Sequence, residues 1–356
     1  MTGDPVAAVS PVSAVFSTGA VSSTNAVSST NTVSSAETAL LFPGQGTQRV
    51  GMGQALFHGF GPAAAVLAQA EREVGAGTAA LLRRGPAEAL RRTENAQPAV
   101  TAVNLAALAV LRDRGTEYGL VAGHSAGVLA ALAAADVLSP AQALRLAARR
   151  GALMGALPSG GAMVAVAGIG QDAARDLARR AGRRTGAPLV VALVNGPGAV
   201  VLSGARAAVA DAARELAAAG VSSVTELAVS HAFHSPLMEP AAAAWREIVA
   251  ALPLRDAGVP IVADTSGDLL VSRRDVRDYL VGQLTGPVRW DLVCRTLAEH
   301  GARLAIETGD SKSLRSISRE QAAFRVVSLG APHLLAALRI TAPQAWARTG
   351  VLGGVA

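Results

Sequence analysis

The chain has 356 residues, of which 51% are hydrophobic and only 3% aromatic, with a net charge of +6. That length and apolar content allow one large domain with an insertion, or more than one core, while the scarcity of aromatic rings counts against a module that stacks nucleic-acid bases. A lone cysteine, Cys294, excludes an intrachain disulfide framework, and no window approaches the roughly 18 uninterrupted apolar residues of a membrane span.

Residues 1–36 are a low-complexity tract of Ala, Val, Ser, Thr and Asn, with the repeat Ala20-Val21-Ser22-Ser23-Thr24-Asn25 followed by Ala26-Val27-Ser28-Ser29-Thr30-Asn31. So few large side chains predict disorder. The start, Met1-Thr2-Gly3-Asp4-Pro5, has no basic stretch of a secretory signal, so a cytoplasmic protein is expected. A buried strand is predicted over 38–42, ending at Pro43-Gly44. Helical patterns follow around 53–56, 63–74 and 87–92, and a long one spans 99–112. A short strand over 119–122 turns at Gly123 into a helix over 128–135, and another helix covers 141–153.

The rhythm then changes. Strand 162–168, helix 171–180, strands 188–194 and 199–203, helix 205–219 and strand 221–229 follow in turn, with Asn195-Gly196-Pro197-Gly198 joining the middle strands. This β-α-β-β-α-β order is the ferredoxin-like pattern. A polar loop with His231 and His234 comes next, then a helix over 238–251 and a strand over 259–263. Cys294 lies in a helical pattern over 290–297, and strands are expected at 304–306 and 326–329. The organisation expected is an α/β fold. A large body with a parallel sheet is built from 37–160 and 230–345, a ferredoxin-like subdomain is inserted over 161–229, and a tail covers 346–356.

Gly123-His124-Ser125-Ala126-Gly127 fits G-x-S-x-G between a strand and a helix. A sharp turn there lifts the serine hydroxyl above the sheet and points helical N–H groups at any oxyanion formed on it. Such a serine needs a base. Of six histidines, His124 adjoins the serine and should point away from its hydroxyl, whereas His231 and His234 share one loop and either could reach it. Phe42-Pro43-Gly44-Gln45-Gly46-Thr47-Gln48 is a glycine-rich loop whose backbone can approach a ligand closely. It lacks the spacing and lysine of a P-loop.

Together with Gln97-Pro98-Ala99 and Ala232-Phe233-His234-Ser235, these motifs occur in the order and at the separations of a known family. From about 38 to 338 the chain resembles the malonyl-CoA:acyl-carrier-protein transacylases and the acyltransferase domains of polyketide synthases, with an α/β-hydrolase-like large body. The resemblance implies that Ser125 is acylated, that His234 is the general base, and that the backbone N–H groups of Gln45 and Ala126 form the oxyanion hole. It implies that Arg150, 25 positions after Ser125, pairs with the free carboxylate of a malonyl group. His124 and Asn195 are implied in substrate binding. Gln283 matches the residue whose main-chain carbonyl orients the histidine. Phe233 would fill the space an α-methyl branch needs, a discrimination worth about 1–3 kcal/mol.

The reaction implied is ping-pong transfer of malonyl from CoA to the phosphopantetheine thiol of an acyl carrier protein, by an enzyme acting in trans. Arginine pairs such as Arg83-Arg84, Arg149-Arg150 and Arg183-Arg184 would be solvated helix faces or would steer the acidic carrier. No permanently bound cofactor or metal is implied, since neither a Cys/His cluster with ligand spacing nor a dinucleotide fingerprint occurs. Alternatives are transfer of a larger acyl group between carriers, an acyl hydrolase on the same scaffold, and a non-catalytic carrier-binding protein. Departures from the family pattern include Val128 for the usual Glu, Ala199 for a common Gln, Gly309-Asp310-Ser311-Lys312 for Gly-Pro-Gly-Lys, and a small Ala126 that would widen the acyl pocket.

Overall fold

The structure is a computed structural model that describes residues 34–221, 223–229, 231–330 and 334. The expectations for most of 1–36 and for the tail 346–356 lie outside the described residues, as does the end of the resembling segment. The fold is mixed α/β. Strands β1 (Thr38–Phe42), β2 (Leu120–Gly123), β3 (Gly161–Ala167), β4 (Leu189–Gly196), β5 (Ala199–Ala205), β6 (Ser223–Glu226), β7 (Ile261–Val262), β8 (Leu269–Leu270), β9 (Val288–Arg289), β10 (Leu304–Glu307) and β11 (Arg325–Ser328) form two sheets.

The larger sheet has the order β11-β10-β1-β2-β7-β8. Every pairing in it is parallel except β7 with β8. Its central strands are buried on both faces, which is why β1 reads as the continuous apolar run Thr38-Ala39-Leu40-Leu41-Phe42. β1 and β2 pair in register down to Phe42 opposite Gly123, so the glycine-rich loop and the Ser125 turn leave the sheet side by side. Ligands of open α/β sheets gather at these carboxyl ends.

The smaller sheet has the order β6-β3-β5-β4-β9. β3 to β6 and their helices Gln171–Thr185 and Arg206–Ala218 follow in the expected β-α-β-β-α-β order, around a core of their own that includes Val164, Leu177, Leu202 and Leu216. The fifth strand, β9, is a piece of the chain beyond this unit that pairs parallel with β4.

Several boundaries differ from expectation. The long helix runs Thr93–Asp113, with Pro98 inside it rather than before it. Pro98 lies near the helix start, where its missing N–H removes a single ladder bond, and the N–H groups of Asn95 and Ala96 already turn onto Arg92 O. The helix Thr78–Arg84 had no periodic signal, and the strand expected over 221–229 is only Ser223–Glu226. Cys294 is buried in the Trp290–Glu299 helix as expected, and burial pushes its thiol up to about 11.

Candidate active site

β2 ends at Gly123, and Ser125–Gly127 forms a 3-10 turn that runs into the helix Val128–Ala134. Ser125 sits in this turn at φ +51°, a left-handed conformation that a non-glycine residue adopts only under constraint. Close packing supplies the constraint. A Cβ on Gly127 would lie 2.0 Å from Phe42 O, and one on Gly44 would lie 2.2 Å from His124 O. Neither position admits a side chain, so the glycine-rich loop lies directly on the Ser125 turn.

His234 is held in the same left-handed region, at φ +57°. Its Nε2 lies 2.7 Å from Ser125 Oγ, and its Nδ1 lies 2.9 Å from Gly286 O. A carbonyl only accepts, so Nδ1 carries the proton and Nε2 is the acceptor for the serine hydroxyl. Burial, and next the nearby Arg150 cation, push the imidazole down to about 3, against the pull of the backbone carbonyls. A neutral base is therefore paired with a hydroxyl, the arrangement that makes a serine nucleophilic. The open choice between the two loop histidines closes here: His231 Nε2 faces Leu157 O at 3.0 Å.

Arg150 comes from the Pro140–Gly155 helix and is 1% exposed. Its Nη1 donates to Gln97 Oε1 at 2.7 Å and its Nη2 to Gln283 Oε1 at 2.8 Å. Its Nε is buried with no hydrogen-bond partner among the described residues. Burial lowers this guanidinium to about 10, so it stays charged at neutral pH. It lines a cavity of about 280 Å³ together with Ser125, His234, Gln45, His124 and Phe233. A buried cation that lines a cavity fits an anionic ligand group.

The remaining predicted residues fall around this cavity, with Ala126 and Asn195 placed differently from expectation. The Gln283 main chain does act on His234, but the carbonyl at 2.9 Å from its Nδ1 is that of Gly286. The Gln283 side chain donates to Ser125 O at 3.1 Å. Ala126 is 1% exposed and off the cavity wall, so its small side chain does not widen the pocket. His124 turns its Nε2 to Asn195 Oδ1 at 3.3 Å and packs against Trp290, so Asn195 meets the cavity through His124. Among the described residues, the N–H groups of Gln45 and Ala126 enter none of the turn or loop backbone hydrogen bonds. The Gln45 side chain is pinned by Thr93 Oγ1 at 2.7 Å, and Phe233 O is held by Ser203 Oγ at 2.7 Å.

Sequence reasoning missed Asp264. It is fully buried, and its Oδ2 accepts the Ser125 N–H at 2.7 Å while its Oδ1 accepts the Tyr279 hydroxyl at 2.6 Å. Burial holds this carboxyl up at about 6. The available signal was an acidic residue directly after an apolar strand, at the sheet end where the other site residues emerge.

Comparison with known proteins agrees with this geometry. An acyl transferase domain is matched over residues 39–310. The chain is 35% identical over 285 residues to the malonyl CoA-acyl carrier protein transacylase of Bacillus subtilis, covering 79% of this chain and 89% of that protein. It is 39% identical over 282 residues to a phenolphthiocerol synthesis polyketide synthase type I of Mycobacterium bovis, of which it spans only 13%. A type II polyketide synthase malonyl-transacylase, solved in complex with its acyl-carrier protein, superposes with a TM-score of 0.81 at 31% identity, covering 85% of this chain and 98% of that one. The matched domain contains both Ser125 and His234, and the chain belongs to the acyl transferase family.

Proposed function

We propose that this acyltransferase moves a malonyl group from CoA to the phosphopantetheine thiol of an acyl carrier protein through a Ser125 acyl-enzyme. The observation that carries it is the Ser125–His234 pair at 2.7 Å, opening into the same cavity as the buried Arg150 with its unspent Nε–H. Relatives named for malonyl transfer to acyl carrier protein support the substrate assignment.

In the first half-reaction His234 Nε2 takes the Ser125 proton as Oγ attacks the thioester carbonyl. Charge develops on the carbonyl oxygen, which the Gln45 and Ala126 N–H groups stabilise. The C–S bond then breaks, and the imidazolium returns its proton to the leaving thiolate of CoA. The malonyl ester on Ser125 keeps its carboxylate against Arg150. In the second half-reaction His234 deprotonates the carrier's thiol, which attacks the ester, and Ser125 leaves with that proton. Each step uses this chain and its two thiol partners.

The same reading treats the larger sheet as an α/β-hydrolase-like body and the unit over 161–229 as a ferredoxin-like subdomain, on the strand order β6-β3-β5-β4. It also narrows the surface that meets an acidic carrier. Most arginines of the smaller unit are neutralised, as Arg180 and Arg184 are by Glu215 and Asp211. Lys312, Arg315 and Arg319, by contrast, are exposed, fall on one face at helical spacing, and make no ion pair among the described residues. Just past them, Gln321 donates to the carbonyl of Asn195, next to the cavity.

Malonyl-CoA without an acceptor separates transferase from hydrolase. The expected result is one turnover's worth of released CoA, then discharge on adding holo carrier protein; steady release of free malonate would contradict the transferase reading. The pH profile of the acylation step follows from His234. The neutral imidazole is the active form and its pKa is depressed, so kcat/KM for acylation should hold level as pH falls through the ordinary value of 6.5.

A further inference from the structure

The backbone of Ser125 is tied on both sides by side chains from other elements. Asp264 Oδ2 holds its N–H at 2.7 Å, and Gln283 Nε2 holds its carbonyl at 3.1 Å. Asp264 is itself oriented by the Tyr279 hydroxyl at 2.6 Å and by Gln283 Nε2 at 3.4 Å. Asp264 and Gln283 are 0% exposed, so no water competes for these bonds. Asp264 reaches the turn because β7 runs parallel beside β2, Val121 opposite Ile261 and Ala122 opposite Val262, so both strands end at the same level.

A serine at φ +51° relaxes toward negative φ unless held. Such a rotation would swing the N–H off Asp264 and the hydroxyl off His234. We propose that Asp264 is a positioning residue for the acylation step: its carboxylate, set by Tyr279, clamps the Ser125 N–H and thereby keeps Oγ aimed at His234 Nε2. The proposal rests on Ser125 being the nucleophile. It differs from a role as counter-charge to Arg150, which Asp264 meets through Gln283. A clamp needs an acceptor atom at that place, whereas a counter-charge needs the charge.

The two roles separate in Asp264→Ala, Asp264→Asn and Tyr279→Phe, each assayed for acylation by malonyl-CoA with kcat and KM resolved. An asparagine oxygen can still accept the Ser125 N–H, and its NH₂ can donate to the Tyr279 oxygen. The clamp predicts that Asp264→Ala loses about 10²-fold in kcat, the scale of a displacement of order 1 Å in a reacting group. It predicts that KM changes little, that Asp264→Asn restores most of the rate, and that Tyr279→Phe falls between. Wild-type kcat in Asp264→Ala would overturn the proposal. So would Asp264→Asn impaired as severely as Ala, in kcat or in KM. If thermal melting shows Asp264→Ala unfolded, Tyr279→Phe decides: a lower kcat at unchanged KM supports the clamp, and a wild-type rate overturns it. Failure of the function itself has another signature, an acyl adduct that survives Ser125→Ala.

Discussion

Replacing His234 with alanine is expected to slow acylation of Ser125 by about 10⁴-fold or more, the loss seen when a nucleophile is parted from its base. The ring is 2% exposed and fixed at both nitrogens, by Ser125 Oγ at 2.7 Å and Gly286 O at 2.9 Å. No neighbouring side chain can take over: His124 is bonded to Asn195, and His231 faces the Leu157 carbonyl. His231→Ala serves as the control and should acylate at close to the wild-type rate. Single-turnover release of CoA from malonyl-CoA reads both. A His234→Ala enzyme that keeps a fast burst would contradict the assignment of the base.

Arg150→Ala is expected to change which acyl group is transferred. Malonyl transfer should fall by about 10² to 10⁴-fold, because truncating one partner of a buried charge pair costs roughly 3–5 kcal/mol. Acetyl transfer should persist or improve for a separate reason. The Arg150 cation is one of the causes that hold His234 down near 3, so its removal leaves a stronger base. An acetyl group has no carboxylate to lose. Competition between malonyl-CoA and acetyl-CoA, read by the mass of the acyl-enzyme, reports the switch directly. Equal loss of both would make Arg150 a support for Gln97 and Gln283 alone.

The parts of the site that were legible in the sequence are those carried by local patterns. β1 and β2 are short apolar runs buried on both faces, and the Ser125 turn between a strand and a helix needs Gly123 and Gly127 at fixed offsets. The β-α-β-β-α-β order was visible because each of its elements is long enough to show a period. What stayed hidden depends on pairing between distant segments. β9 is two residues long, too short for any period, and pairs with β4; the strand expected over 259–263 forms as Ile261–Val262, but its pairing beside β2, which brings Asp264 to Ser125, is not written in its residues. An acidic residue directly after an apolar strand marks Asp264 as a sheet-end group, but it does not name its partner 139 residues away. That the Gly286 carbonyl joins Gln283 beside His234 depends on the path of the chain past a helix end, which residue identity does not encode. The helix expected over 99–112 begins at Thr93, because Pro98 near a helix start is compatible with the helix.

The most direct measurement is the intact mass of the wild-type chain and of Ser125→Ala after mixing with malonyl-CoA. One malonyl increment on the wild type, absent in Ser125→Ala and removed by holo carrier protein, is the predicted result. An increment that survives Ser125→Ala, or no increment on the wild type while malonyl still reaches the carrier, would contradict a Ser125 acyl-enzyme.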